Sequence, residues 1–217
     1  MQEDTILMQG KRRKLIKALA AKNKFDDQVL EAMLRVPRHL FLSNPGLENK
    51  AYDDIALKID KEQTISQPTT VAYQSTLLEL KPNDKVLEVG TGSGYQASIL
   101  AELGVQVYTL ERIEDLYHKS KALLQGMGYQ NIHQKLSDGF EGWPEEAPFD
   151  KIIVTAAAPY FPEDLALQLK IGGLMIIPMK IEDDKQQMFK ITRQNEKDFH
   201  SQGLFGVRFV DMLKGTI

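Results

Sequence analysis

The chain has 217 residues, of which 42% are hydrophobic and 26% charged, with a net charge of −3 and no cysteine. That length suits one domain of ordinary globular composition. The charge balance argues against nucleic-acid binding by bulk electrostatics, and the lack of cysteine excludes disulfides, thiolate nucleophiles and Cys-ligated zinc.

No apolar run approaches the roughly 20 residues a membrane helix needs. The N-terminus lacks the apolar core and small-residue cleavage site of a secretory signal, so a cytoplasmic protein is expected. Apolar periodicity predicts helices near 4–22 and 26–35, the second stopped by Pro37 in VPRHLFL. The basic run Lys11–Arg12–Arg13–Lys14 reads as the solvated face of the first helix, whose apolar side is Leu7, Leu15, Ile16 and Leu19. Residues 43–67 read as irregular. After Pro68, TTVAYQSTLLEL reads as a helix with Val71, Leu77 and Leu78 inward.

From there short apolar runs alternate with helices. Strand-like runs are KVLEV (85–89), QVYTLE (106–111), IHQKL (132–136), KIIVTA (151–156) and GLMIIPM (173–179), with helical stretches at 94–103, 113–126 and 161–170. Strands separated by helices of this length imply βαβ units and a parallel sheet covered on both faces. QMFKITRQ and GLFGVRFVDM follow without an intervening helix and predict an antiparallel pair at one edge. The expected fold is α/β: a Rossmann-like, doubly wound, mostly parallel sheet with an antiparallel C-terminal hairpin. A single domain spans 1–217, with 1–67 as an N-terminal helical extension and 68–217 as the core.

EVGTGSG follows the first core strand and opens a helix, so Gly90, Thr91, Gly92, Ser93 and Gly94 fall at a strand end, where open α/β sheets bind ligands. A dinucleotide fingerprint needs glycine at the first, third and sixth positions, and the sixth from Gly90 is Tyr95. Glu88, two residues upstream, is placed to meet a ligand ammonium. Glu111, with Arg112 beside it, ends the next strand, where an acid accepts from both hydroxyls of a ribose. Asp138–Gly139 ends the third and offers an acceptor to an adenine amino group. Acids at successive strand ends around a glycine loop point to a nucleoside-bearing ligand.

His39, His118, His133 and His200 are scattered without ligand spacing, so no metal is expected, and there is no G-x-S-x-G elbow. The acid pairs Glu145–Glu146 and Asp183–Asp184 read as solvated turns.

Together, VPRHLF (36–41), TISQP (64–68), VLEVGTGSGYQA (86–97), FDKIIVTAAAP (149–159), LKIGGLMIIP (169–178) and VRFV (207–210) resemble the protein-L-isoaspartate O-methyltransferases, within the S-adenosylmethionine-dependent methyltransferase superfamily. The resemblance covers nearly the whole chain, and TISQP is its most specific part. It implies transfer of a methyl group from S-adenosyl-L-methionine to the free α-carboxyl of L-isoaspartyl residues in damaged proteins. The ester then collapses to a succinimide that reopens partly to aspartate. It also implies Ser66 as the active-site residue and Ser66, Val207 and Arg208 on the substrate side. Thr64, Glu88, Gly90, Thr91, Gly92, Ser93, Glu111, Arg112, Asp138 and Gly139 are implied to hold the cofactor. Damaged proteins are the expected partners of a monomer, with no nucleic acid or membrane.

A carboxylate acceptor is already ionised at neutral pH, so alignment rather than a general base is required. Ser66 and Thr64 also suit simple capping of the helix after Pro68. Departures from the resemblance are Asp60, Lys61 and Glu62 where glycines are usual, Thr69–Thr70 in place of an aromatic–Met pair, and Asp211 where proline is frequent. The rivals are a methyltransferase with another acceptor, a non-catalytic cofactor-binding relative and a nicotinamide dehydrogenase. AAAPY (156–160) lacks the acid or amide of a base-methylating motif, and Tyr95 disfavours the dehydrogenase.

Overall fold

The computed structural model describes residues 3–217. Two helices open it, α1 (Ile6–Ala20) and α2 (Asp27–Arg35), capped by Thr5, whose hydroxyl accepts from Met8 N–H, and Asp26, whose carboxylate accepts from Gln28 N–H. Helix α2 stops where Val36 turns extended (ψ 117°), the conformation forced on a residue before proline.

The basic run is not wholly solvated. The stripe of α1 that packs inward is Arg12, Leu15 and Leu19, spaced three and four apart, which carries Arg12 into the interior and leaves Leu7 63% exposed. Arg12 pairs there with Asp4 at 2.8 Å and donates to Tyr52 Oη at 3.2 Å.

The stretch expected to be irregular contains a 3-10 turn (Pro45–Lys50) and a small antiparallel hairpin, β1 (Leu57–Lys58) with β2 (Thr64–Ile65). Two-residue strands are too short for side-chain alternation to reveal. Helix α3 (Pro68–Leu77) follows, with Val71 and Leu78 fully buried and Leu77 only partly so.

The remaining strands are β3 (Lys85–Val89), β4 (Gln106–Glu111), β5 (Ile132–Leu136), β6 (Phe149–Val154), β7 (Leu169–Glu182), β8 (Lys185–Arg193) and β9 (Phe199–Val207). They form one sheet in the order β5-β4-β3-β6-β7-β8-β9. The first five pair in parallel, and β8 and β9 add antiparallel. Helices α4 (Tyr95–Glu102) and α5 (Glu114–Gly126) make the crossovers. Both sheet faces are covered. Val86, Val107, Ile153 and Ile176 pack with Ala97 and Leu100 of α4, while Leu87, Val89, Leu110, Ile152 and Met175 pack on the other side. Strand order reverses between β3 and β6, which opens a crevice beyond their C-terminal ends.

Two expected boundaries move. The helix expected at 161–170 is only α6 (Glu163–Ala166), because Leu169 pairs with Phe149 and has already entered β7. The last strand runs earlier than expected. After Val207 the chain leaves the sheet and crosses the strand ends, where Asp211 bridges to Ala157. Among the described residues no helix is long and apolar enough to cross a membrane.

Candidate active site

The glycine loop is set by the strands on either side of it. Gly90 and Thr91 N–H both donate to Leu110 O, at 2.9 and 3.0 Å, which ties the loop to β4. Gly90 has φ +97°, and a Cβ there would lie 2.5 Å from Thr155 Oγ1, so no other residue fits. The Thr155 hydroxyl donates to Gly90 O and Val89 O, at 2.7 and 3.0 Å.

Glu111 ends β4 beside the loop. Its carboxylate accepts from Gly92 N–H at 2.7 Å and from Arg112 and Ile113 N–H at 2.9 Å each. Burial holds its carboxyl above the usual range, against the downward pull of those three donors. It borders a cleft lined also by Thr64, Gly90, Gly92, Arg112, Ser137, Gly139 and the tail residues Val210–Leu213. Gly139 is needed for close approach, since a Cβ would meet Val89 Cγ1 at 2.4 Å.

Two expected contacts lie elsewhere. Glu88 does not face the cleft: it is fully buried beneath the loop, with Oε2 2.5 Å from Thr109 Oγ1. The alternation of β3 puts it on the same face as Val86, toward the interior. Asp138 lies at the mouth and anchors backbone, accepting from Phe140 N–H at 2.8 Å and Gly215 N–H at 2.7 Å. It borders an outer depression with Phe140 and Lys214 instead of the cleft. Arg112 helps hold the same tail, donating to Gly215 O at 2.9 Å and Lys214 O at 3.3 Å.

The opposite wall is TISQP. Thr64 and Ser66 border a small recess with Gly90, Thr91, Gly92 and Ser93. They also border a groove of about 1040 Å³ with Tyr73, Val207 and Arg208. Ser66 therefore stands where recess and groove meet, and its hydroxyl makes no hydrogen bond to the described residues. It does not cap α3. The cap position is Gln67, without a side-chain bond, and Asp54 Oδ1 takes the Thr69 N–H at 2.8 Å instead.

What fixes Ser66 is a residue whose role the sequence reading missed. Arg38, fully buried, donates to Ser66 O at 3.0 Å, Ile55 O at 3.2 Å and Ala51 O. Its signal was present as a lone cation inside the apolar run VPRHLFL. Asp54 is the second missed residue: it binds the Thr69 backbone and hydroxyl and the Lys22 ammonium, and its carbonyl accepts from Gln67 Nε2. The hairpin loop before TISQP is clasped to α5 by Lys61–Asp115 and Lys119–Asp60 ion pairs. Asp211 pairs with Lys180 at 2.9 Å.

A reversing parallel sheet with a glycine loop at its switch point and an acid at the end of the next strand defines a Rossmann-like protein that binds a nucleoside-bearing ligand. A family model for protein-L-isoaspartate(D-aspartate) O-methyltransferase matches residues 10–216. The chain is 48% identical over 212 residues to a protein-L-isoaspartate O-methyltransferase of Christiangramia forsetii, covering 98% of both chains. A solved Plasmodium falciparum structure assigned to the same enzyme, in complex with S-adenosyl-L-homocysteine, superposes with a TM-score of 0.82. It is 29% identical, and the match covers 94% of this chain and 99% of that one. Another solved protein-L-isoaspartate O-methyltransferase superposes with a TM-score of 0.85 at 27% identity, over 92% of this chain and 65% of that longer one. The chain belongs to the protein-L-isoaspartate(D-aspartate) O-methyltransferase family, whose reaction draws its methyl group from S-adenosyl-L-methionine.

The residues present fit that cofactor. Gly90 and Gly139 bring bare backbone to the cleft, and Glu111 borders it with a carboxylate able to accept further hydrogen bonds.

Proposed function

We propose that this chain methylates the free α-carboxyl of L-isoaspartyl residues in damaged proteins, with Ser66 orienting that carboxylate. The observation that carries this is the position of Ser66, its hydroxyl free, between the recess under the glycine loop and the groove bearing Val207 and Arg208. A hydroxyl without a neighbouring base is a poor nucleophile but a good single donor to a carboxylate. Arg208 is exposed, borders the same groove and makes no ion pair with the described residues, so it suits an acidic or carbonyl-rich peptide segment.

Thr64, Gly90, Thr91, Gly92, Ser93, Glu111, Arg112 and Gly139 would hold the cofactor, which supplies an electrophilic methyl group. Glu88 and Asp138 act one layer back, Glu88 beneath the loop and Asp138 through the tail. The protein's task is alignment, which in well-oriented pairs is equivalent to effective molarities of roughly 10⁵–10⁸ M. The reading includes a monomer acting in the cytoplasm on protein substrates, and every residue it uses comes from one chain. Methyl transfer to an isoaspartyl peptide, measured beside its normal-aspartyl twin, tests it. Equal rates on both peptides, or none on either, would reject the acceptor.

A further inference from the structure

A buried polar cluster lies beneath the glycine loop, and alignment of the acceptor does not use it. Glu88 Oε2 is 2.5 Å from Thr109 Oγ1, which is 2.7 Å from Thr91 Oγ1. Thr91 in turn borders the recess beside Ser66. The three groups form a chain from the interior of β3, through β4, to the loop. Glu88 Oε1 has no hydrogen-bond partner, and neither do the buried Gln74 Oε1 of α3 and Gln96 Oε1 of α4. An ionised carboxylate with one bare buried oxygen is costly, whereas a proton removes the charge and adds a donor.

The surroundings favour that proton. Burial pushes the Glu88 carboxyl up to about 8, with the Thr109 hydroxyl pulling it down and Glu111 pushing it further up. No cation offsets this. The titratable groups of the facing elements are Tyr73 of α3, Tyr95 and Glu102 of α4, Tyr108 and Glu111 of β4, and Asp150 and Lys151 of β6. Of these only Glu111 acts on Glu88.

The proton decides the direction of the chain. A neutral Glu88 donates to Thr109, Thr109 to Thr91, and the Thr91 hydrogen is left free to donate outward. When Glu88 is ionised, both hydroxyls turn inward, and Thr91 offers only a lone pair. We infer that Glu88 is a positioning residue that acts through Thr109 to make Thr91 a hydrogen-bond donor to the carboxylate at the methionine end of the cofactor. This rests on the reading that the glycine loop holds that end.

The test is the pH dependence of S-adenosyl-L-homocysteine affinity, by calorimetry from pH 6 to 9.5, on the parent, Glu88→Gln and Thr91→Val. A charge-assisted hydrogen bond contributes roughly 1.5–3 kcal/mol, so parent affinity should fall about tenfold or more through pH 8. The amide of Glu88→Gln still donates but cannot ionise. That variant should bind like the parent at pH 6 and show only the ligand's own titration above it. Thr91→Val should bind weakly at every pH. With 5′-methylthioadenosine, which lacks the amino acid end, parent and Glu88→Gln should give the same flat profile.

The chain without ligand provides an independent readout. A carboxyl raised from the usual 4.5 to about 8 stabilises the fold fully below pH 4.5, and that contribution is lost as pH climbs toward 8. Parent stability should therefore decline over that window relative to Glu88→Gln, and the parent at pH 6.5 should show a protonated-carboxyl infrared band missing from the variant. Superimposable S-adenosyl-L-homocysteine profiles for parent and Glu88→Gln, with the ligand bound tightly, would overturn the relay alone. The same pH break with 5′-methylthioadenosine would overturn its assignment to the methionine end. Failure of the parent to bind S-adenosyl-L-homocysteine at any pH would overturn the reading of the site itself.

Discussion

The glycine loop and TISQP face each other across the recess but are held in place by different means. Gly90 and Thr91 hang from β4 by two backbone hydrogen bonds that extend the sheet ladder, and β3 beneath them pairs on both sides. Ser66, by contrast, belongs to a segment attached to the sheet by little backbone pairing of its own: β1 and β2 pair only with each other. Its position depends on two residues, Arg38 in a 3-10 turn (Arg38–Phe41) and Asp54, that reach from earlier segments of the chain to its backbone surroundings. Register distributes positioning over many bonds, whereas side-chain ties concentrate it in one or two. Single substitutions should therefore damage the Ser66 wall more than the glycine wall.

Arg38 offers the strongest way to break this contrast. Arg38→Ala leaves three carbonyls without their donor, at roughly 1–3 kcal/mol each. Relief of the buried charge offsets part of that, and a net loss of roughly 3 kcal/mol in urea unfolding is expected. In protein that remains folded, turnover should fall far more than S-adenosyl-L-homocysteine affinity, because of the residues proposed to hold the cofactor only Thr64 lies on the Ser66 wall. Arg38→Lys, which keeps the charge but not the fork, should recover stability more than rate. Equal losses of turnover and cofactor affinity would show that the two walls are one unit.

Ser66→Ala comes next. With its hydroxyl outside the α3 cap, stability should change little, and cofactor affinity should be retained. Turnover on an isoaspartyl peptide should fall roughly 10- to 1000-fold in kcat/KM, the alignment contribution plus one hydrogen bond. Ser66→Thr keeps the hydroxyl and should retain partial activity. A normal rate in Ser66→Ala would remove Ser66 from the site.

On the other wall, Glu111→Ala deletes an acceptor of three backbone N–H groups as well as the proposed ribose contact. A 10- to 100-fold loss of S-adenosyl-L-homocysteine affinity is expected, from roughly 1.5–3 kcal/mol of charge-assisted hydrogen bonding. Peptide KM should change far less, the reverse of the Ser66 pattern. Unchanged calorimetric affinity in the folded variant would rule out the ribose role.

The same contrast explains what the sequence made legible. β3, β4 and β5 fall at 85–89, 106–111 and 132–136 as expected; β3 and β4 do so because strands buried in a parallel sheet read as apolar runs bounded by turns, whereas β5 is an edge strand with no buried residue. The glycine loop was legible for the same reason, being pinned to a strand end. Glu88 was misplaced although β3 alternation held the answer: Val86 faces α4, so Glu88 must face the same way. The tail, Arg38, Asp54 and the anchoring role of Asp138 depend on contacts between segments far apart in sequence, as Arg38 is from Ser66, and no periodicity encodes these. Leu169 shows the limit within the sheet, since a helical and a strand reading of LALQLKIGG differ only through its pairing with Phe149.

The smallest expected effect has the opposite sign and lies in the β1–β2 loop that leads into TISQP. Lys61 and Glu62 carry φ of 57° and 56°, the left-handed region that glycine adopts freely. A side chain there costs roughly 1–2 kcal/mol. Replacement by glycine also loosens the unfolded chain, at roughly 0.5–1 kcal/mol. Glu62 is the cleaner site, because its ion pair with Lys58 is almost fully exposed and contributes little, whereas Lys61 helps clasp the loop to α5. The two backbone effects nearly cancel, leaving Glu62→Gly more stable by about 0.5 kcal/mol, a rise of about 1–2 °C in thermal midpoint. If the loop is held by its ion pairs rather than by local conformation, S-adenosyl-L-homocysteine affinity should be unchanged. A loss of affinity together with a higher midpoint would mean instead that the strained turn itself presses Gln63 and Thr64 into the cleft they line.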